Sequence, residues 1–262
     1  MSESTYLQAV SEVARLAGDI AFAYYRQQPL IETKLDGTPV TVADRAAESS
    51  AREWIERRFP DDGILGEEFP DVRPDARRRW ILDPIDGTKS FINEVPLWGT
   101  LVAVAEGEHI VAGAAYFPST IELIAAANGC GCWLNDSRTQ VSAVADLTLA
   151  AIMTSQSPFS SDDSISSRWR QLESQTRISR TWGDCFGYMM VASGRAEVMA
   201  DPRLAVWDIA PFLPIIQEAG GIITDFAGTV SAFGGSAIAT NSSLGPSVRE
   251  ILIAQSGTTK RT

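Results

Sequence analysis

Asp83 and Asp86 stand three residues apart in Asp83-Pro84-Ile85-Asp86-Gly87-Thr88, directly after the apolar run Trp80-Ile81-Leu82. Two carboxylates so placed suit a hard cation such as Mg²⁺, which takes oxygen ligands and keeps several waters. The Gly-Thr pair that follows can open a helix, whose first N–H groups attract phosphate. Three further acidic positions lie far off in sequence: Asp44, Glu67-Glu68, and Asp208 in Trp207-Asp208. If the fold gathers them, their mutual repulsion is severe unless cations lie between them. A pair of Mg²⁺ ions relieves that repulsion and holds the attacking and leaving oxygens of a phosphoryl transfer. Each position also has a plainer explanation. Asp44 and Asp208 can serve helix N-termini. Glu67-Glu68 can be a solvated turn, and Thr88 only an N-cap.

The elements that must position these residues follow from periodicity and turn chemistry. Apolar residues at helical spacing predict a helix over 5–27, opened by a Thr5/Gln8 capping box and followed by Pro29. Residues 34–39 are turn-like. A second helix is expected from about Thr41 to Phe59, with Asp44 in its first turn. Strands at 63–66 and 80–82 end at the acidic residues, a common place for a site in sheet proteins. From Thr100 to Val144 the pattern is a β meander, with turns at Glu106-Gly107-Glu108 and Asn128-Gly129. Beyond residue 147, strands near 150–154, 177–179, 197–200, 221–224 and 237–239 alternate with helices near 164–174, 185–193, 208–219 and 245–254. Pro214 should kink the third of these helices. The organisation expected is an N-terminal α+β half (1–146) carrying most metal ligands and a C-terminal α/β half (147–262) supplying Asp208. The Ser-rich stretch 155–167 suits a loop or connection.

Composition narrows the function. A net charge of −11 disfavours nucleic acid as a partner. The same charge repels a phosphorylated substrate unless bound cations reverse the local field. Cys130, Cys132 and Cys185 form no metal-ligand pattern with the single histidine, His109, and are expected as reduced thiols. No apolar run reaches the roughly 18–20 residues a membrane span needs. The N-terminal Met1-Ser2-Glu3-Ser4-Thr5 has no signal-peptide character, so a cytoplasmic protein is expected.

Taken together, the motifs resemble those of the inositol monophosphatase family. Asp83-Pro84-Ile85-Asp86-Gly87-Thr88 resembles its metal motif and Gly66-Glu67-Glu68 its upstream glutamate motif. Trp207-Asp208-Ile209-Ala210, followed by Gly220-Gly221, resembles its downstream Trp-Asp motif. Lys34 and Pro39-Val40-Thr41-Val42-Ala43-Asp44 resemble its N-terminal site segment. The resemblance implies a layered α/β/α/β/α sandwich of mixed α+β and α/β character, a homodimer, and Mg²⁺-dependent phosphomonoester hydrolysis. It implies two to three ions: one on Glu67, Asp83 and the Ile85 carbonyl, a second on Asp83, Asp86 and Asp208, and a weaker third on Glu67 and waters. It further implies that Thr88 and Asp44 orient and deprotonate the attacking water, and that the Gly87 and Thr88 N–H groups hold phosphate.

Within the family, Gly87-Thr88-Lys89-Ser90-Phe91-Ile92 and Trp182-Gly183-Asp184-Cys185-Phe186 resemble the histidinol-phosphatase branch. Histidinol phosphate carries an ammonium and an imidazole, which Asp184 and Asp201 suit through charge-assisted hydrogen bonds. Arg195 is a further substrate-side candidate, the alternative being that it only closes a helix end. The competing expectations are an inositol-1-phosphate phosphatase, a 3′-phosphate nucleotidase, and a non-catalytic interaction protein on the same fold.

Overall fold

The computed structural model describes residues 3–27, 31–33, 39–156 and 164–253. The expected turn with Lys34 and the central part of the Ser-rich stretch lie outside the described residues. Helix α1 (Glu3–Tyr24) buries Ala9, Val10, Val13, Ala14, Ala17 and Ala21 along one stripe. It is already helical at Glu3, so Thr5 lies in its first turn and does not cap it. The carboxylate of Glu3 favours that start. The helix stops at Tyr24, before the expected 27. A short antiparallel pair, β1 (Ile31–Thr33) and β2 (Pro39–Thr41), leads into α2 (Val42–Arg58). Thr41 Oγ1 accepts the Ala43 N–H at 3.1 Å, and Asp44 Oδ2 accepts the Thr41 N–H at 2.8 Å, a reciprocal cap.

The larger sheet has seven strands in sequence order: β3 (Gly63–Gly66), β4 (Arg78–Asp86), β5 (Gly99–Glu106), β6 (His109–Phe117), β7 (Glu122–Ala127), β8 (Gly131–Leu134) and β9 (Ser137–Arg138). Only β3 and β4 run parallel; the rest is the expected meander. Strand β4 begins before the expected Trp80 and does not stop at Leu82. It runs on through Asp86, with a register shift against β5 between the two aspartates. A bulge of this kind reverses the alternation of side chains beyond it. Trp80 and Leu82 face α1 and α2, Ile81 faces the other way, and Ile85 is back on the α1–α2 side. Helix α3 (Thr88–Ile92) follows directly, held by Phe91, whose ring meets Trp98 edge-on at 4.8 Å and Tyr25 at 5.5 Å.

The second sheet has five strands in the order β11-β10-β12-β14-β13. They are β10 (Ala151–Met153), β11 (Ile178–Arg180), β12 (Val198–Asp201), β13 (Ile222–Thr224) and β14 (Ala237–Thr240). Between them lie α4 (Ser164–Glu173), α5 (Asp184–Ala192), α6 (Val206–Ile209) and α7 (Phe212–Glu218), and α8 (Gly245–Leu252) ends the described chain. The single helix expected over 208–219 is two. Pro211 divides them, and Pro214 falls in the first turn of α7, where its missing N–H leaves no bond unmade. The interruption falls at Ala210 and Pro211, one turn before Pro214, and both residues keep helical φ and ψ.

One apolar cluster packs α5, α6 and α7 between the two sheets, joining Ile81, Leu101 and Phe117 to Met189, Phe212, Ile216 and Met199. A second lies between α1–α2 and the large sheet. A third lies between the small sheet and α4–α8, through Ile152, Trp169, Leu172 and Val248. The order of layers is therefore α/β/α/β/α. Each large apolar side chain buried in these clusters contributes roughly 1.5–3 kcal/mol.

Candidate active site

Three carboxylates converge where the bulged end of β4 meets α6. One oxygen from each of Asp83, Asp86 and Asp208 lies within 4.8 Å of the others; Asp83 is buried and the other two are partly exposed. The bulge makes this possible. In a regular strand two residues three apart point to opposite faces, whereas here both aspartates turn toward the α6 side. Thr100 Oγ1 donates to the Pro84 carbonyl at 2.7 Å and stitches the bulge to β5. Asp83 Oδ1 accepts the Ile85 N–H at 3.0 Å, which holds its carboxylate against the turn. Asp208 Oδ2 accepts the Ala205 N–H at 2.8 Å, so this residue caps α6 and still belongs to the cluster.

The electrostatics match a cation site. Burial first, then the charges of Glu67, Asp86 and Asp208, push the Asp83 carboxyl well above the usual carboxylate range. Asp86 is raised by burial and by Asp184 and Asp208. Asp208 is pushed up to about 7, burial being the largest cause and the charges of Glu67, Asp184 and Asp201 adding to it. An all-oxygen set of like charges held together against its own repulsion is suited to a hard divalent cation. Glu67, just beyond β3, stands beside Asp83 and shares a hydrogen bond with it.

The Gly87 turn has φ +84°, open to glycine at little cost. It leads directly from Asp86 into the first turn of α3. Thr88 Oγ1 donates to the Ile85 carbonyl at 3.1 Å. Asp44 is 1% exposed and its Oδ2 accepts from both the N–H and the hydroxyl of Thr41. Each member of the expected Thr88–Asp44 pair thus has its own partner. Burial raises the Asp44 carboxyl, with Glu67 adding to the effect.

On the substrate side the expected residues separate. Asp184 stands over the Gly87 turn: a side-chain carbon at Gly87 would lie 3.3 Å from Asp184 Oδ2. Burial and the charge of Asp201 raise its carboxyl to about 6, with Lys89 opposing. Asp201 is not open to a ligand as expected. It is 3% exposed and accepts hydrogen bonds from Thr154, Ser155 and Tyr188. Arg195 takes the second of its two expected roles, at a helix end. Its guanidinium pairs with Glu122 at 2.9 Å and meets Ser193 and Met189 at the C-terminal end of α5, away from Asp184 at the other end. The negative end of the helix and the Glu122 carboxylate account for that position.

Several residues with a part here carried no sequence signal. Glu48 Oε2 accepts the Glu68 N–H at 2.8 Å, while Arg52 pairs with Glu48 at 2.8 Å and donates to the Phe69 and Pro70 carbonyls. This pair on α2 clamps the segment that carries Glu67. Their i,i+4 spacing was legible, but it is common on helix surfaces. Cys130, Cys132 and Cys185 are free thiols, as expected, with Cys130 only partly buried. His109 is exposed and pairs with Glu106 at the opposite end of the strands from Asp83 and Asp86, and its Nε2 meets Asn128 at 2.9 Å.

Comparison with known proteins agrees with this geometry. Residues 2–259 match the model of the inositol monophosphatase family. The chain is 40% identical over 241 residues to a histidinol-phosphatase of Chlorobaculum parvum, covering 91% of this chain and 93% of that protein. It is 38% identical to a histidinol-phosphatase of Mycobacterium tuberculosis, covering 80% and 83%. Among solved structures, the extragenic suppressor protein suhB of Bartonella henselae superposes with a TM-score of 0.88 at 28% identity, covering 95% of this chain and 98% of that one.

Proposed function

The chain belongs to the inositol monophosphatase family, and from that premise we propose that it hydrolyses L-histidinol phosphate to L-histidinol and phosphate, as a step of histidine biosynthesis. It is a metal-dependent phosphoric monoester hydrolase; the substrate is the proposal. The observation that carries it is Asp184, a carboxylate standing over the Gly87 turn, next to Asp86 and Asp208. A cationic alcohol leaving from a phosphate held at that turn has its ammonium or imidazole within reach of Asp184. A neutral polyol could donate hydroxyl hydrogen bonds to it but does not need the extra charge. The likeness to two histidinol-phosphatases supports the same choice.

In this reading Glu67, Asp83, Asp86, Asp208 and the Ile85 carbonyl hold two to three Mg²⁺. When bound, the ions cancel the carboxylate and phosphate charges and make water more acidic. The chain's own residues do the rest. Gly87 and Thr88 N–H groups hold the phosphate. The Thr88 hydroxyl turns from the Ile85 carbonyl to the attacking water, and Asp44, whose burial makes it a stronger base than an exposed aspartate, takes the proton. As the ester P–O bond breaks, the leaving oxygen takes a proton from solvent water, and Asp184 holds the cationic part of the alcohol.

The test is a panel of phosphomonoesters assayed with Mg²⁺ and with EDTA. Histidinol phosphate should show the highest kcat/KM, and EDTA should abolish release. A higher kcat/KM for inositol-1-phosphate or a nucleotide 3′-phosphate overturns the substrate. The absence of metal-dependent release from every ester returns the chain to the interaction-protein alternative.

A further inference from the structure

Ser155 joins two carboxylates that the substrate reading treats separately. Asp201 Oδ1 accepts the Ser155 N–H at 2.8 Å and the Thr154 hydroxyl at 3.1 Å. Asp201 Oδ2 accepts the Ser155 hydroxyl at 2.9 Å and the Tyr188 hydroxyl at 3.1 Å. Four donors fill the acceptor positions of one carboxylate, so none remains for a ligand. Ser155 Oγ, oriented by its bond to Asp201, accepts the N–H of Asp184 at 2.7 Å. Gly183 allows the approach, since a side-chain carbon there would lie 2.2 Å from Ser155 Cα. Asp184 takes φ +50°. That left-handed conformation costs a non-glycine residue roughly 1–3 kcal/mol and persists only where surroundings impose it.

We infer that Asp201 and Ser155 are positioning residues for specificity: a buried Asp201–Ser155 tether imposes the left-handed conformation of Asp184 and so aims its carboxylate at the substrate's cationic part. The inference rests on the proposed substrate for its kinetic consequence, but not for the tether itself. Asp201 then has a role in recognition without touching the ligand. The chain after β10 and the start of α5 are locked together at the same point, so the aim of Asp184 depends on a residue 29 positions earlier.

The experiment compares wild type, Ser155→Ala and Asp184→Ala, each loaded with Mg²⁺. KM and kcat are measured for histidinol phosphate and inositol-1-phosphate, and amide hydrogen exchange is followed in the peptide covering residues 183–186. Loss of a hydrogen bond that aims a charged group should raise KM for histidinol phosphate roughly tenfold in Ser155→Ala, as in Asp184→Ala. The ratio of the two KM values should rise by the same factor with kcat held, and exchange at 183–186 should quicken. Equal rises in both KM values, or a common fall in kcat at constant ratio, reduce Ser155 to a structural residue and overturn the inference. If Asp184→Ala leaves the ratio unchanged, the substrate reading falls. The tether is then decided by exchange alone: slow exchange in Ser155→Ala overturns it, fast exchange sustains it.

Discussion

Asp208 does two things with one carboxyl group. Its Oδ2 caps α6 through the Ala205 N–H, and the same carboxylate joins the cluster with Asp83 and Asp86. The capping and ligand explanations of a Trp-Asp pair are therefore compatible, and the same holds for Asp44, which caps α2. Such a cluster trades stability for function. Asp208→Asn keeps a carbonyl oxygen for the Ala205 N–H and removes one charge from the repulsive group. Phosphatase activity should fall on the order of 100-fold or more, as befits a residue holding a metal. Thermal denaturation in EDTA should move the other way, with Tm rising by about 2–4 °C for each kcal/mol of repulsion removed. An unchanged or lower Tm in EDTA would mean the charge was not costing the fold anything.

At the level of elements, the bulge in β4 matters most. It places Asp83 and Asp86 on one side of the sheet and returns Ile85 to the other core. Its shape depends on Thr100, 1% exposed, whose hydroxyl is bonded to the Pro84 carbonyl. Thr100→Val keeps the side-chain volume and strands that carbonyl, at a cost of about 1–3 kcal/mol. The expected outcome is a lower Tm together with a higher Mg²⁺ concentration for half-maximal activity, both restored in Thr100→Ser. A Tm loss with unaltered Mg²⁺ dependence would confine Thr100 to general packing. The clamp of Glu48 and Arg52 on the 66–70 segment acts at the same scale. Asp208 sits in the first turn of α6, which begins at Val206 and is separated from α7 at Pro211.

For the molecule as a whole, burying so many carboxylates couples stability to pH. Asp83, Asp86, Asp44 and Asp201 are all raised, Asp184 to about 6 and Asp208 to about 7, burial being the largest cause in each. In the unfolded chain they titrate near about 3.9. Below that pH neither form pays for ionisation. As pH climbs toward 7 the unfolded chain releases protons that the folded chain retains, and stability falls. In EDTA, Tm should therefore be lower at pH 8 than at pH 5, and Mg²⁺ should recover the loss at pH 8, where the ligands are ready to ionise. A metal-free Tm that rises from pH 5 to pH 8 would falsify this account. Among the described residues no helix is long and apolar enough to cross a membrane.

The layered α/β/α/β/α order was legible only through the resemblance of the motifs to a family. Most elements were legible in the sequence, because apolar periodicity records which face of each helix or strand is buried. The alternation beyond residue 147 and the meander before it are of this kind. The acidic residues themselves were legible too, since Asp83, Asp86, Glu67 and Asp208 sit at element ends where side chains converge. What the tertiary structure decided was aim. Local pattern does not encode a bulge that turns two aspartates to one side, nor hydrogen bonds between residues far apart in the chain. Asp201 reads as a free carboxylate until Ser155, 46 residues earlier, and Tyr188 surround it. Arg195 reads equally as a substrate contact or a helix-end residue until Glu122 decides it. Residue type and spacing determined that this chain carries acidic metal-site chemistry; only packing, which sets the partner of each polar group, determined which carboxylates meet and which are held away.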